Sequence, residues 1–110
     1  MRLGSCEAVL LPGSKVQTLY GSTQALERHR HRFEVNPDYH NQLQENGLIF
    51  SGTSPNHQLV EFIERADHPF FVATQAHPEL KSTLEKPAPL FKGFVKAAVQ
   101  QKMKSVAFEA

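Results

Sequence analysis

An α/β fold, with flanking helices on a mixed sheet that includes an antiparallel three-strand portion, is predicted for this 110-residue chain by three observations. First, segments 48–53, 59–65 and 70–76 are apolar, extended in character and joined by connections too short for a crossover helix, so they should pair as antiparallel neighbours. Second, Pro89 precedes Leu90, Phe91, Phe94, Val95 and Ala98, a spacing that gathers large apolar groups on one helical face. Third, Asn36-Pro37 and Gly47 bracket a short stretch with helix-start and helix-stop chemistry.

In chain order, Ala8-Val9-Leu10-Leu11 reads as a short strand stopped by Pro12-Gly13. Residues 27–35 are polar but extended and run into Asn36-Pro37. Asn36 suits an N-cap, Pro37 the first helical position and Gly47 the left-handed C-terminal cap, so residues 37–46 form a short helix with Tyr39 and Leu43 on one face. The three antiparallel strands follow, connected around Ser54-Pro55-Asn56-His57-Gln58 and Ala66-Asp67-His68-Pro69. Segments 59–63 and 70–73 carry apolar residues on both faces, as strands covered on both sides do. The helix over 90–98 should bury its apolar face against the sheet, and the tail beyond residue 104 should fray.

The length allows one small domain. Composition is ordinary for a globular chain, with 40% hydrophobic and 21% charged residues. A net charge of +1 argues against a dedicated nucleic-acid or membrane-surface protein. The longest apolar run is four residues, too short to span a bilayer or to serve as the core of a signal peptide. The single cysteine excludes an internal disulfide framework and fits a reducing cytoplasm. There is no internal repeat.

Two segments carry chemistry. Thr74-Gln75-Ala76-His77-Pro78-Glu79-Leu80 places a base and a carboxylate just past the apolar strand Phe70-Phe71-Val72-Ala73. If the chain stays extended, His77 and Glu79 point the same way, and the carboxylate orients the imidazole for proton transfer. The competing reading is a solvated His and a loop Glu at a strand end. In Glu27-Arg28-His29-Arg30-His31-Arg32-Phe33-Glu34 the three arginines share one face of an extended chain and the two histidines the other. A nucleic-acid patch is opposed by the flanking glutamates and the lack of an interleaved aromatic platform. A His-x-His metal pair lacks further ligands at usual spacing. A polar edge strand that binds a small anionic group remains, because an arginine fork takes a carboxylate bidentately.

Taken together, these two segments with Met1-Arg2-Leu3-Gly4, Ser51-Gly52-Thr53-Ser54, Leu59-Val60-Glu61, His68-Pro69-Phe70-Phe71, Lys81-Ser82 and Pro89-Leu90-Phe91 closely resemble the C-terminal end of bacterial CTP synthases. The arginine–histidine run is close to diagnostic of that family, while His-Pro-Glu marks the wider class I glutamine amidotransferases. The resemblance runs from Met1 to about Ala98. It implies the C-terminal half of the class I glutamine amidotransferase fold, with residues 1–110 forming a partial glutaminase domain.

It also implies roles. His77 matches the general base and Glu79 its orienting carboxylate, while Arg32 matches the arginine that holds the main-chain groups of the substrate glutamine. The full-length enzymes aminate UTP to CTP with ATP and Mg²⁺ and assemble as cytoplasmic homo-tetramers; no cofactor or metal is expected on this segment. Its expected partners are glutamine and the missing N-terminal half of the same enzyme, with neither nucleic acid nor membrane. The family's cysteine nucleophile sits on a glycine-flanked strand-to-helix elbow that is not in this sequence. Cys6, in Gly4-Ser5-Cys6-Glu7-Ala8, mimics the elbow spacing, but no strong strand is expected before it and a strand rather than a helix after it. Phe33 stands where the family often has Tyr, which costs a hydroxyl. Met1 matches an internal methionine, so the chain reads as a C-terminal fragment inactive alone. The rivals are a non-catalytic remnant that docks on a partner and a piece of another class I amidotransferase.

Overall fold

A computed structural model describes residues 2–109, with side chains through residue 104. The strands are β1 (Arg2–Leu10), β2 (Gln24–His31), β3 (Ile49–Thr53), β4 (Val60–Glu64) and β5 (Val72–Thr74), and the α-helices α1 (Lys15–Tyr20), α2 (His40–Glu45) and α3 (Pro89–Glu109). They form one five-stranded sheet in the order β2-β1-β3-β4-β5.

The antiparallel trio β3, β4, β5 is as expected, but every other pairing among the described residues is antiparallel too. The sheet within this chain is therefore not mixed. β2 and β3 do run in the same direction, yet β1 lies between them, so no parallel ladder forms.

The first strand is longer than its apolar run suggests. β1 pairs with β2 from Arg2↔His31 to Val9↔Gln24, and only its last residues bury apolar side chains, Ala8 and Leu10. Its first half faces polar groups, so hydrophobic patterning could not reveal it. Between β1 and β2 sits α1, also unexpected. Ser14 accepts from the Gln17 N–H, and Gly21, at φ 66, donates to the Gln17 carbonyl. Buried Glu64 of β4 then accepts the N–H groups of Lys15 and Val16 at 2.9 and 3.1 Å, satisfying donors that a helix start leaves free. The capped segment 37–46 is a 3₁₀ turn, Pro37–Tyr39, continued by α2, with Asn36 accepting from the Asp38 N–H. Gly47, at φ 96, follows the end of α2.

The core gathers Ala8, Leu10, Val16, Ala25, Phe62 and Leu90, with Leu19, Tyr20 and Val72 packed against it. At the β3–β4 irregularity, Gly52 lies so close to Phe62 that a Cβ there would stand 2.5 Å from Cδ2 of the ring. The last helix departs from expectation in its docked face. Leu90 and Gly93 are buried, whereas Phe94, Val95, Val99 and Met103 are 60, 58, 52 and 66% exposed. The cause is close approach through a glycine: a Cβ on Gly93 would lie 2.5 Å from Leu19 Cδ2 and 3.2 Å from Phe70 Cε2. The helix docks on its small-residue side and leaves the bulky side uncovered. Its backbone continues as helix to Glu109 rather than fraying past residue 104.

Candidate functional site

The sheet curls until its two ends meet. Beyond β5, Ala76 bridges His29 of β2, and the His77 N–H donates to the Arg28 carbonyl at 2.8 Å. Thr74 makes the bend. Its hydroxyl donates to the Glu61 carbonyl at 2.8 Å and accepts the Ala76 N–H at 3.0 Å. A further tie runs from the Gln75 amide to the Phe33 carbonyl at 3.1 Å. Two segments more than forty residues apart in sequence thus share one rim.

His77 and Glu79 sit on that rim. Pro78 does not leave the chain extended; it opens a 3₁₀ turn over Pro78–Leu80. The turn, not strand alternation, brings Glu79 Oε1 to 2.6 Å from His77 Nδ1. A carboxylate can only accept, so Nδ1 carries the hydrogen, and in the neutral ring Nε2 is left as the acceptor. The hydrogen bond from His77 holds the Glu79 carboxyl below its ordinary range. The two side chains are 42 and 51% exposed, so the rim is open to solvent.

Arg32 follows β2 directly and is exposed, like Arg28 and Arg30. Among the described residues its guanidinium makes no hydrogen bond or ion pair. The structure ties Phe33, the neighbour of Arg32, to Gln75, whereas His77 itself meets Arg28, four residues before Arg32, and the Arg32 and His77 side chains are not joined. Cys6 lies in the middle of β1, half-buried and paired with Glu27. The expectation that no strong strand precedes it is corrected, because pairing with β2 extends β1 to Arg2. A residue with strand on both sides does not occupy a strand-to-helix elbow.

Residues that sequence reading missed lie behind the rim. Arg2, Glu34, Glu61, His29 and His31 form a polar cluster in which Glu61 and His29 are buried and Arg2, Glu34 and His31 half-buried. Its histidines were legible from alternation, since arginines and histidines had to face opposite ways, but Arg2 and Glu61 arrive from other strands. Buried Glu27 accepts from the Tyr20 hydroxyl, and burial followed by Glu27 pushes that hydroxyl well above its usual range. Among the described residues, no group of three or more His, Cys, Asp or Glu side chains could hold a metal ion. None of the described helices is long and apolar enough to cross a membrane.

Comparison with known proteins agrees with this geometry. Residues 3–97 match the family model described as glutamine amidotransferase class-I. A CTP synthase from Methanococcus aeolicus is 59% identical over 106 residues, covering 94% of this chain and 20% of that protein. A CTP synthase from Saccharopolyspora erythraea is 60% identical over 102 residues, 91% of this chain and 18% of its own length. Among solved structures, the glutaminase domain of a Trypanosoma brucei CTPS with bound acivicin superposes at a TM-score of 0.85 and 38% identity, over 91% of this chain and 40% of that one. The chain spans about a fifth of the curated relatives it matches.

Proposed function

The chain belongs to the class I glutamine amidotransferase family, and on that premise we propose that it is the base-bearing part of the glutaminase domain of a CTP synthase. The observation that carries this reading is the 2.6 Å pair of His77 Nδ1 and Glu79 Oε1 on a rim tied to the Arg32 segment. The similarity to CTP synthases over most of this chain supports the narrower assignment.

In the proposed reaction His77 Nε2 takes the proton of a cysteine thiol, supplied by a preceding part of the parent enzyme, and the thiolate attacks the glutamine carboxamide carbon. The C–N bond breaks as His77 delivers a proton to the departing ammonia, leaving a glutamyl thioester. His77 then takes a proton from water, which attacks the thioester and releases glutamate and thiolate. Glu79 fixes the ring so that Nε2 faces the reacting atoms and stabilises the imidazolium when it forms. Arg32 takes the substrate's main-chain carboxylate through its two-pronged guanidinium. ATP and Mg²⁺, which activate UTP in the parent, belong to the synthetase portion on this reading.

The uncovered side of α3 favours a second reading, in which the chain is a non-catalytic remnant that persists by docking on a partner. One experiment separates the two. Residues 3–97 replace the matching segment of a full-length CTP synthase, and CTP formation is followed with glutamine or with ammonia as nitrogen source. The proposed role predicts glutamine-driven synthesis that His77→Ala abolishes while ammonia-driven synthesis persists. Glutamine-driven synthesis indifferent to His77→Ala overturns it.

A further inference from the structure

The turn that carries Glu79 is moored to β2 at two places, and only the first is backbone pairing. Ala76 bridges His29, and the His77 N–H donates to the Arg28 carbonyl at 2.8 Å. In an antiparallel ladder of that register Glu79 would stand opposite Leu26, and its N–H would take the Leu26 carbonyl. Pro78 prevents this by opening the 3₁₀ turn over Pro78–Leu80, and the Glu79 N–H makes no such bond. The Leu26 carbonyl is nevertheless filled, because the Lys81 ammonium donates to it.

The position Lys81 occupies suits an ammonium. Lys81 and Glu27 line one cleft of about 290 Å³ between β2, Tyr20 and residues 86–89. Lys81 Nζ lies 3.9 Å from Glu27 Oε1, on a side chain that is 5% exposed, and the Tyr20 hydroxyl donates to Glu27 Oε2. Among the described residues, Lys81 carries the one cation paired with this carboxylate. A carboxylate withdrawn from water needs such a counter-charge. Carbonyl and carboxylate together form a cradle of acceptors, which a neutral side chain without a donor cannot satisfy.

Between the two moorings the chain is braced by its own bonds. The N–H groups of Leu80, Lys81 and Ser82 donate to the carbonyls of His77, Pro78 and Pro78, each at 3.1 Å. Glu79 sits in the middle of this braced turn, 2.6 Å from His77 Nδ1. With the His77–Arg28 bond alone, the turn could pivot about that point, and both side chains are exposed enough to exchange each other for water. We propose that Lys81 is a positioning residue: its ammonium replaces the ladder donor that Pro78 removes, and so holds Glu79 on the His77 ring. It acts through the turn, since its bonds go to β2 and not to Glu79. The value of this for glutamine hydrolysis rests on the function proposed above; the mooring itself does not.

NMR of the full 110-residue chain and of its Lys81→Met and Lys81→Arg variants tests this. Lys81 is 45% exposed, and methionine keeps most of the apolar stem while removing the donor. In the unmodified chain the hydrogen bond from His77 holds the Glu79 carboxyl below its ordinary range. Lys81→Met should return that carboxyl toward its ordinary value. It should also speed exchange of the His77 amide about tenfold, as the loss of one charge-assisted hydrogen bond does. Exchange of the Leu10 and Phe62 amides in the core should not change, which separates a released turn from a general loss of stability. Lys81→Arg still donates and should restore both signals. Should the methionine variant fail to fold, the unmodified chain decides through its Lys81 ammonium, whose protons should exchange more slowly than those of the other lysines.

In the grafted full-length enzyme, Lys81→Met should lower kcat for glutamine-driven synthesis about tenfold, with KM for glutamine little changed and ammonia-driven synthesis intact. Should His77→Ala prove silent there while the chain behaves as stated in NMR, the glutaminase reading falls and the mooring is upheld. A Glu79 titration unmoved by Lys81→Met, a change that Lys81→Arg does not reverse, or a Lys81 ammonium that exchanges like the other lysines overturns the proposal.

Discussion

Gly52→Ala is expected to destabilise the chain by about 1–3 kcal/mol, the usual cost of forcing a methyl into a packed core. The estimate follows from its surroundings. A Cβ at Gly52 would meet Phe62 Cδ2 at 2.5 Å and its Cβ and Cγ at 3.2 Å. Phe62 cannot retreat: it is 2% exposed, stacks edge-on with Tyr20 at 5.8 Å and stands in the central core cluster. Gly52 itself has no positive φ, so the penalty is steric rather than conformational. For a domain of this size each kcal/mol lowers the melting temperature by roughly 4 °C or more, giving about 4–13 °C in total. Thermal unfolding followed by circular dichroism measures it. Phe62→Leu removes the ring edge, so in that background Gly52→Ala should cost at least about 1 kcal/mol less, a coupling that a double-mutant cycle reads directly. Equal costs in both backgrounds, or an unchanged melting temperature for Gly52→Ala, would refute the close-approach argument.

The isolated chain should release no ammonia from glutamine, because losing a triad member costs on the order of 10³–10⁶ in rate; release that Cys6→Ser abolishes would revive Cys6 as a nucleophile. In the grafted full-length enzyme, Arg32→Ala should raise KM for glutamine about tenfold or more, as the loss of a charge-assisted carboxylate contact does, and leave ammonia-driven synthesis intact. The Glu79 carboxyl should titrate below its ordinary value in ¹³C NMR, since His77 lowers it. Its small stabilising contribution is present above about pH 4.3 and lost as pH falls through the lowered value, and His77→Ala should return it to normal. The uncovered side of α3, with Phe94 and Met103 60 and 66% exposed, should bind an apolar-surface dye and broaden thermal unfolding; a monomer that melts sharply above about 60 °C without binding dye contradicts this.

Turn chemistry and apolar runs made much of the molecule legible. Asn36, Pro37 and Gly47 act through their own backbone preferences, so the 37–46 helix needed no tertiary information. The short connections around 54–58 and 66–69 dictated antiparallel neighbours, because nothing longer can cross over. The His-Pro-Glu motif and the arginine–histidine run pointed to the family before any coordinate did. Other features depend on partners distant in sequence. β1 extends back to Arg2 because its early residues face Glu61, His29 and Glu34, and polar burial leaves no apolar period to read. α1 exists where Glu64 meets its first N–H groups, a contact across 49 and 48 residues. Which side of α3 docks was decided by Gly93 against Leu19 and Phe70, since closeness of approach outweighed the size of the apolar face. The His77–Glu79 pair formed through a 3₁₀ turn, and only the curl that carries Ala76 to His29 sets His77 against Arg28 of β2. Local chemistry chose the elements; long-range contacts chose their lengths, their faces and which of them meet.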